Sequence, residues 1–190
     1  MPCRRRVRLA AGTGTLFDIV LDDQDTADDW LRRGEVGAAI TGHARAAPGC
    51  DVSSLGTMRY VATASPEFVA RWFAAGVTAQ TLARAPMLVF NPKDRLQARW
   101  LREVTGAPVN PPSHLLPSSH GFIDAAVAGL GWGMNPELLA QDEMAAGRLV
   151  ALVPDTPLDV PIHWQQSRIL ASALAPLRSA VHRRASEILR

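Results

Sequence analysis

Cysteine is almost missing from this chain: Cys3 and Cys50 are the two in 190 residues. That excludes a disulfide framework, and no Cys/His cluster has zinc spacing. Histidine is sparse. His43, His114, His120, His163 and His182 sit apart without metal-ligand spacing. Lysine is rarer still: nineteen of the twenty basic residues are arginine and the other is Lys93. No apolar run approaches the ~20 residues that would span a bilayer, so no membrane segment is expected. The net charge of +2 is unclustered except at Arg4, Arg5, Arg6 and Arg8. That cluster reads either as a phosphate-contacting arm or as a frayed terminus. An export signal would place an apolar stretch of about 7–15 residues after such arginines. Leu9–Thr15 is short and broken by glycine, so a reducing, cytoplasmic location is expected.

What is present describes an ordinary folded domain. Hydrophobic residues make up 47% and charged residues 20%, a balance far from disorder. A chain of this length buries roughly 70% of its unfolded surface. Leu16–Leu21 reads as a buried strand, and Thr26 with Asp29 as close to a capping box, for a helix that stops at Gly34. Strands are expected at 36–41, 55–64, 86–90, 131–134, 149–153 and 160–165. Helices are expected from Ser65-Pro66-Glu67, at 78–83, at 94–102, from Ser118/Ser119 through Ala128, to Ala146, and at 173–189. Residues 106–117 read as a proline-rich connector. Alternating strands and helices argue for α/β architecture with mostly parallel sheets. No stretch has the composition of a linker.

Nothing in the sequence specifies catalysis. Ser118, Ser119 and His120 are adjacent on one helical turn, where neighbours point about 100° apart and cannot pair as nucleophile and base. No G-x-S-x-G elbow occurs. Gly129-Leu-Gly131-Trp-Gly133 follows a helix, whereas a dinucleotide loop follows a strand. It reads as a helix end and a tight entry to the next strand. Neither enzyme activity nor a cofactor is expected.

Binding is better supported. The helix starting at Ser118/Ser119 offers unsatisfied N–H groups, a positive dipole end and hydroxyls, which suit a carboxylate. The same serines would also serve as a plain N-cap. The acidic turn Asp22-Asp23-Gln24-Asp25 follows a strand end and suits an ammonium or guanidinium group. It also reads as a solvated turn. Trp164 sits in a strand between polar neighbours, against a ligand's methylene stem or in the core.

An ordered series of segments then carries a resemblance. Leu31-Arg-Arg-Gly-Glu-Val36, Leu55-Gly-Thr-Met-Arg-Tyr-Val61, Ala64-Ser-Pro-Glu-Phe68, Pro117-Ser-Ser-His-Gly-Phe122, Ala128-Gly-Leu-Gly-Trp-Gly-Met134 and Asp159-Val-Pro-Ile-His-Trp-Gln165 closely resemble the effector-binding domain of LysR-type transcriptional regulators. The branch is the one that senses lysine and arginine and controls a basic-amino-acid exporter (the ArgP/LysG type). The resemblance implies a two-lobed fold like type 2 periplasmic binding proteins, with a cleft between lobes. Lobe one would comprise residues 16–62 and 158–190, lobe two 63–157. By position, Ser118 and Ser119 from lobe two, and Asp22, Asp25, Thr41 and Trp164 from lobe one, would face a lysine or arginine effector. Residues 1–15 do not resemble the family. Its winged helix-turn-helix is absent here, so a truncated, mis-started or frameshifted product is expected. DNA would be contacted only through that other domain, in a homodimer or tetramer. A solute-binding protein of the same fold delivering an amino acid to a transporter is the alternative, and a small enzyme using the cleft a third reading.

Overall fold

The computed structural model describes residues 16–22 and 25–190. The chain divides into two compact units, each described by itself. One holds residues up to Met58 together with Val160–Arg190; the other is Arg59–Asp159. The chain passes between them inside two strands, β2 (Cys50–Ala64) and β7 (Leu158–Ser167). That is why no linker composition shows in the sequence.

In the first unit a short helix, α1 (Asp28–Arg32), leads to β1 (Ala38–Thr41). Gly34, at φ +70°, supplies the left-handed turn that ends α1. β1 pairs antiparallel with β7, Thr41 opposite His163 and Ala39 opposite Gln165. Pro161 lies beyond this ladder, where a missing N–H costs no bond to β1. Leu31, Ala47 and Cys50 form a small core. After β7 come a 3-10 turn (Arg168–Leu170) and α7 (Ala175–Ile188), which buries Ala180 and Ala185. His182 on α7 hydrogen-bonds Ser53 of β2 at 2.8 Å. The last residue, Arg190, exchanges both backbone bonds with Thr57. The close approach needs Gly56: a Cβ there would lie 2.9 Å from the Arg190 carbonyl oxygen.

The second unit opens with α2 (Pro66–Trp72), α3 (Ala79–Leu82) and β3 (Met87–Val89). It continues through α4 (Leu96–Thr105), β4 (Ser113–Leu115) and α5 (Ser119–Val127), then β5 (Gly133–Pro136), α6 (Glu137–Ala145) and β6 (Val150–Ala151). The C-terminal half of β2 pairs antiparallel with β5 and β6, while β3 and β4 run parallel. Its main core centres on Trp100 and Trp132, whose rings meet tilted at 5.2 Å. A buried tryptophan removes about 150–250 Å² from water, roughly 4–6 kcal/mol at about 25 cal/mol per Å², an upper bound before entropy. A second cluster gathers Leu88, Phe122, Ile123, Ala126, Ala140 and Leu149. Phe122, Ile123 and Ala126 are contributed by α5. Gly133 is required beside it, since a Cβ would meet Phe122 Cε1 at 2.7 Å.

The α/β class stands, with corrections. Leu16–Leu21 is neither strand nor buried: it is irregular, and Leu16, Ile19 and Leu21 lie largely in solvent. A strand needs a ladder partner, and among the described residues this segment has none. The capping box fails because Thr26 donates its hydroxyl to Asp22 instead, leaving Ala27 as an N-cap without a side-chain bond. The ladders of β1, β5 and β6 are antiparallel where parallel pairing was expected. Two long strands running between the units, and not repeated βαβ crossovers, organise them. Residues 106–117 contain β4, and the final helix starts at Ala175, two residues later than expected.

Candidate functional site

Ser118 and Ser119 belong to the second unit. Ser118, in extended conformation, caps α5, its Oγ accepting from the Gly121 N–H at 3.1 Å. Its carbonyl takes the Phe122 N–H. Ser119 is the first helical residue, and both serines are exposed. The cap satisfies one of the four orphan donors that a helix start carries. The hydroxyl hydrogen of Ser118 can still be donated while its oxygen accepts. The cap therefore leaves hydroxyl hydrogens and first-turn N–H groups able to donate at this helix start.

Further along the same unit, Asn135 is fully buried on β5. Its Nδ2 donates to Thr63 Oγ1 at 2.9 Å, while Oδ1 has no partner. Gln97 holds the carbonyl of Leu88 at 3.0 Å. These amides stitch strands and helices together inside the core.

The other four sequence candidates belong to the first unit. Asp22 is already engaged: Oδ1 accepts from Thr26 and Oδ2 from the Trp30 indole N–H at 2.8 Å. Asp25 enters through its backbone carbonyl, which accepts from His43 Nε2 at 2.8 Å. The same imidazole nitrogen stands 3.9 Å from buried Asp28, whose other oxygen holds Arg32 at 2.7 Å. Thr41 is completely buried. Its hydroxyl accepts from the His43 N–H and donates to the His43 carbonyl. Trp164 is buried too, its indole N–H donating to Gln166 Oε1 at 2.8 Å.

Register separates two of these. Thr41 stands opposite His163 and Ile40 opposite Trp164. Side chains alternate across a strand, so Thr41 shares a face with Gln165 while Trp164 points to the other. Thr41 and the acidic turn, by contrast, are brought together, and His43 joins them. His43 was left out by sequence reasoning as one scattered histidine. Its relevance depends on Asp25 and Asp28 being folded against it, which no spacing records. No group of three or more residues suited to hold a metal ion is present among the described residues. None of their helices is long and apolar enough to cross a membrane.

Comparison with known proteins places this geometry in context. Residues 10–186 match the model of the LysR substrate binding domain. The transcriptional regulator ArgP of Pseudomonas fluorescens Pf-5 is 46% identical over 155 residues, covering 80% of this chain and 51% of the relative. The chain thus spans about half the length of that curated relative. The C-terminal domains of a LysR family protein from Agrobacterium tumefaciens superpose with a TM-score of 0.92 at 49% identity, over 98% of this chain and 90% of that one. Full-length LysG from Corynebacterium glutamicum with bound effector Arg superposes with a TM-score of 0.84 at 36% identity. That match covers 97% of this chain and 63% of LysG. The two-unit α/β architecture, the match along nearly the whole chain and the likeness to the C-terminal domains of a LysR family protein agree: this chain belongs to the LysR substrate-binding-domain family.

Proposed function

We propose that this chain is the effector-binding domain of a LysR-type transcriptional regulator of the ArgP/LysG kind, sensing lysine or arginine to control export of a basic amino acid. The observation that carries the reading is the likeness, along 97% of the chain, to LysG with bound effector Arg. The two compact units correspond to the two lobes of such a domain. The second unit contributes the start of α5, where Ser118, Ser119 and the first-turn N–H groups receive an α-carboxylate. The first contributes Thr41 and the turn that carries Asp22 and Asp25, chemistry suited to the cationic end; Trp164, buried on the opposite face of β7 with its indole N–H held by Gln166, does not share that subsite. In the intact cytoplasmic regulator, a homodimer or tetramer, DNA would be bound by a separate winged helix-turn-helix domain. An effector acts there only through unequal affinity for two conformations.

Calorimetric titration tests the reading. Arginine or lysine gives saturable heat and raises the melting temperature, whereas norleucine, which lacks the terminal cation, gives neither. Silence from both basic amino acids at about 1 mM, where an interaction of roughly −4 kcal/mol half-fills a site, would sink it.

A further inference from the structure

Gln165, on β7 in the first unit, is completely buried and hydrogen-bonded at both ends of its amide. Its Oε1 accepts the Ala47 N–H at 2.9 Å. Its Nε2 lies 3.2 Å from Thr41 Oγ1, 3.2 Å from the His43 carbonyl and 3.1 Å from the Arg45 carbonyl. One amide on β7 therefore accepts one N–H and shares its two N–H hydrogens among three acceptors, all at the end of β1 and on the loop that leaves it, more than a hundred residues earlier in the chain. Buried amides of this kind fix a conformation because every alternative leaves polar groups unpaired. The loop carries His43, which is half-exposed and reaches the Asp25 carbonyl and Asp28.

We propose that Gln165 is a positioning residue for effector binding: its amide sets the 41–47 loop and thereby aims His43 at the acidic turn, completing the first unit's receptor for the cationic end of the effector. The inference rests on the amino-acid-sensing reading and adds two residues to it. His43 touches the subsite; Gln165 acts through His43. A guanidinium or ammonium group would share with His43 the acceptors of the 25–28 turn, so the ring's placement tunes which cation is accepted.

Hydrogen exchange and calorimetry on the 190-residue chain test this together. Gln165→Met keeps the side chain's length and removes these hydrogen bonds. Amides of residues 42–47 should then exchange at least tenfold faster while the second unit's protection is unchanged, and the arginine Kd should rise about tenfold. His43→Ala alone should raise the Kd similarly. The double variant should be no worse than either single one, because the two act as one device. Ser65→Ala, which loosens a helix cap in the second unit, should lower stability without changing the Kd. If Gln165→Met does not fold, Gln165→Asn, which keeps an amide but shortens its reach by one methylene, replaces it. Unchanged affinity, additive losses, or faster exchange throughout the chain would overturn the proposal. If the unaltered chain binds neither arginine nor lysine, the sensing reading and the binding half of this proposal fail together. The exchange pattern still decides whether Gln165 holds the loop.

Discussion

At the scale of single residues, the candidate site shows how far a side chain's role depends on what folds against it. Asp22 looked like a carboxylate offered to a ligand, yet both its oxygens accept hydrogen bonds from Thr26 and Trp30. Thr41 looked like a contact and is wholly enclosed by His43 and Gln165. Residue type and local position were legible; the partner was not, because it comes from another turn or another strand. Cys50 gives a prediction of the same grain. Burial pushes its thiol above the usual range; nearby Arg168 opposes this and Asp51 reinforces it. A raised pKa leaves less thiolate at a given pH, and thiolate is the reactive form. In a Cys3→Ser background, labelling of Cys50 by a disulfide reagent at about pH 8, near an ordinary thiol pKa of about 8.5, should be slow. It should accelerate sharply in urea. Equal rates in folded and unfolded protein would contradict the burial argument.

At the scale of elements, signals confined to a few consecutive residues survived folding, except at Thr26 and Asp29. Ser65-Pro66-Glu67 opens α2 as written, with Ser65 Oγ accepting from the Phe68 N–H. Thr78 and Thr81 close a reciprocal box at α3. The cap of α5 offers a discriminating test. Ser118→Ala should cost about 1 kcal/mol in urea unfolding and Ser118→Gly only a few tenths, as for any N-cap. If the hydroxyl is only a cap, glycine should preserve arginine affinity; if it also meets the effector, both variants should weaken it. Signals needing a distant partner were lost. β4 is three residues inside a proline-rich stretch, and it is a strand because β3 lies alongside it. Leu16–Leu21 has strand-forming composition and no ladder among the described residues.

At the scale of the whole molecule, the chain passes from one unit to the other within β2 and β7. Arg59 on β2 and Asp159 on β7 face each other as a bidentate pair, both bonds at 2.8 Å. The carboxylate beside Arg59 holds its guanidinium pKa above the ordinary value. Both side chains are partly exposed, so salt screens the attraction. Asp159→Asn should lower the melting temperature slightly at low ionic strength and leave it unchanged in concentrated salt. A large, salt-independent loss would mean the pair does something other than fasten two strands. The sequence alone determined the α/β class, the caps at Ser65 and Ser118 and the family resemblance, because those depend on short-range pattern and ordered motifs. Only the tertiary structure decided that the ladders run antiparallel, that Thr41 and Trp164 lie on opposite faces, and that His43 and Gln165 organise the first unit's loop. Each of these is a pairing between residues far apart in the chain. Such pairings are fixed by register and by the need to satisfy buried polar groups, and neither is written in any local stretch.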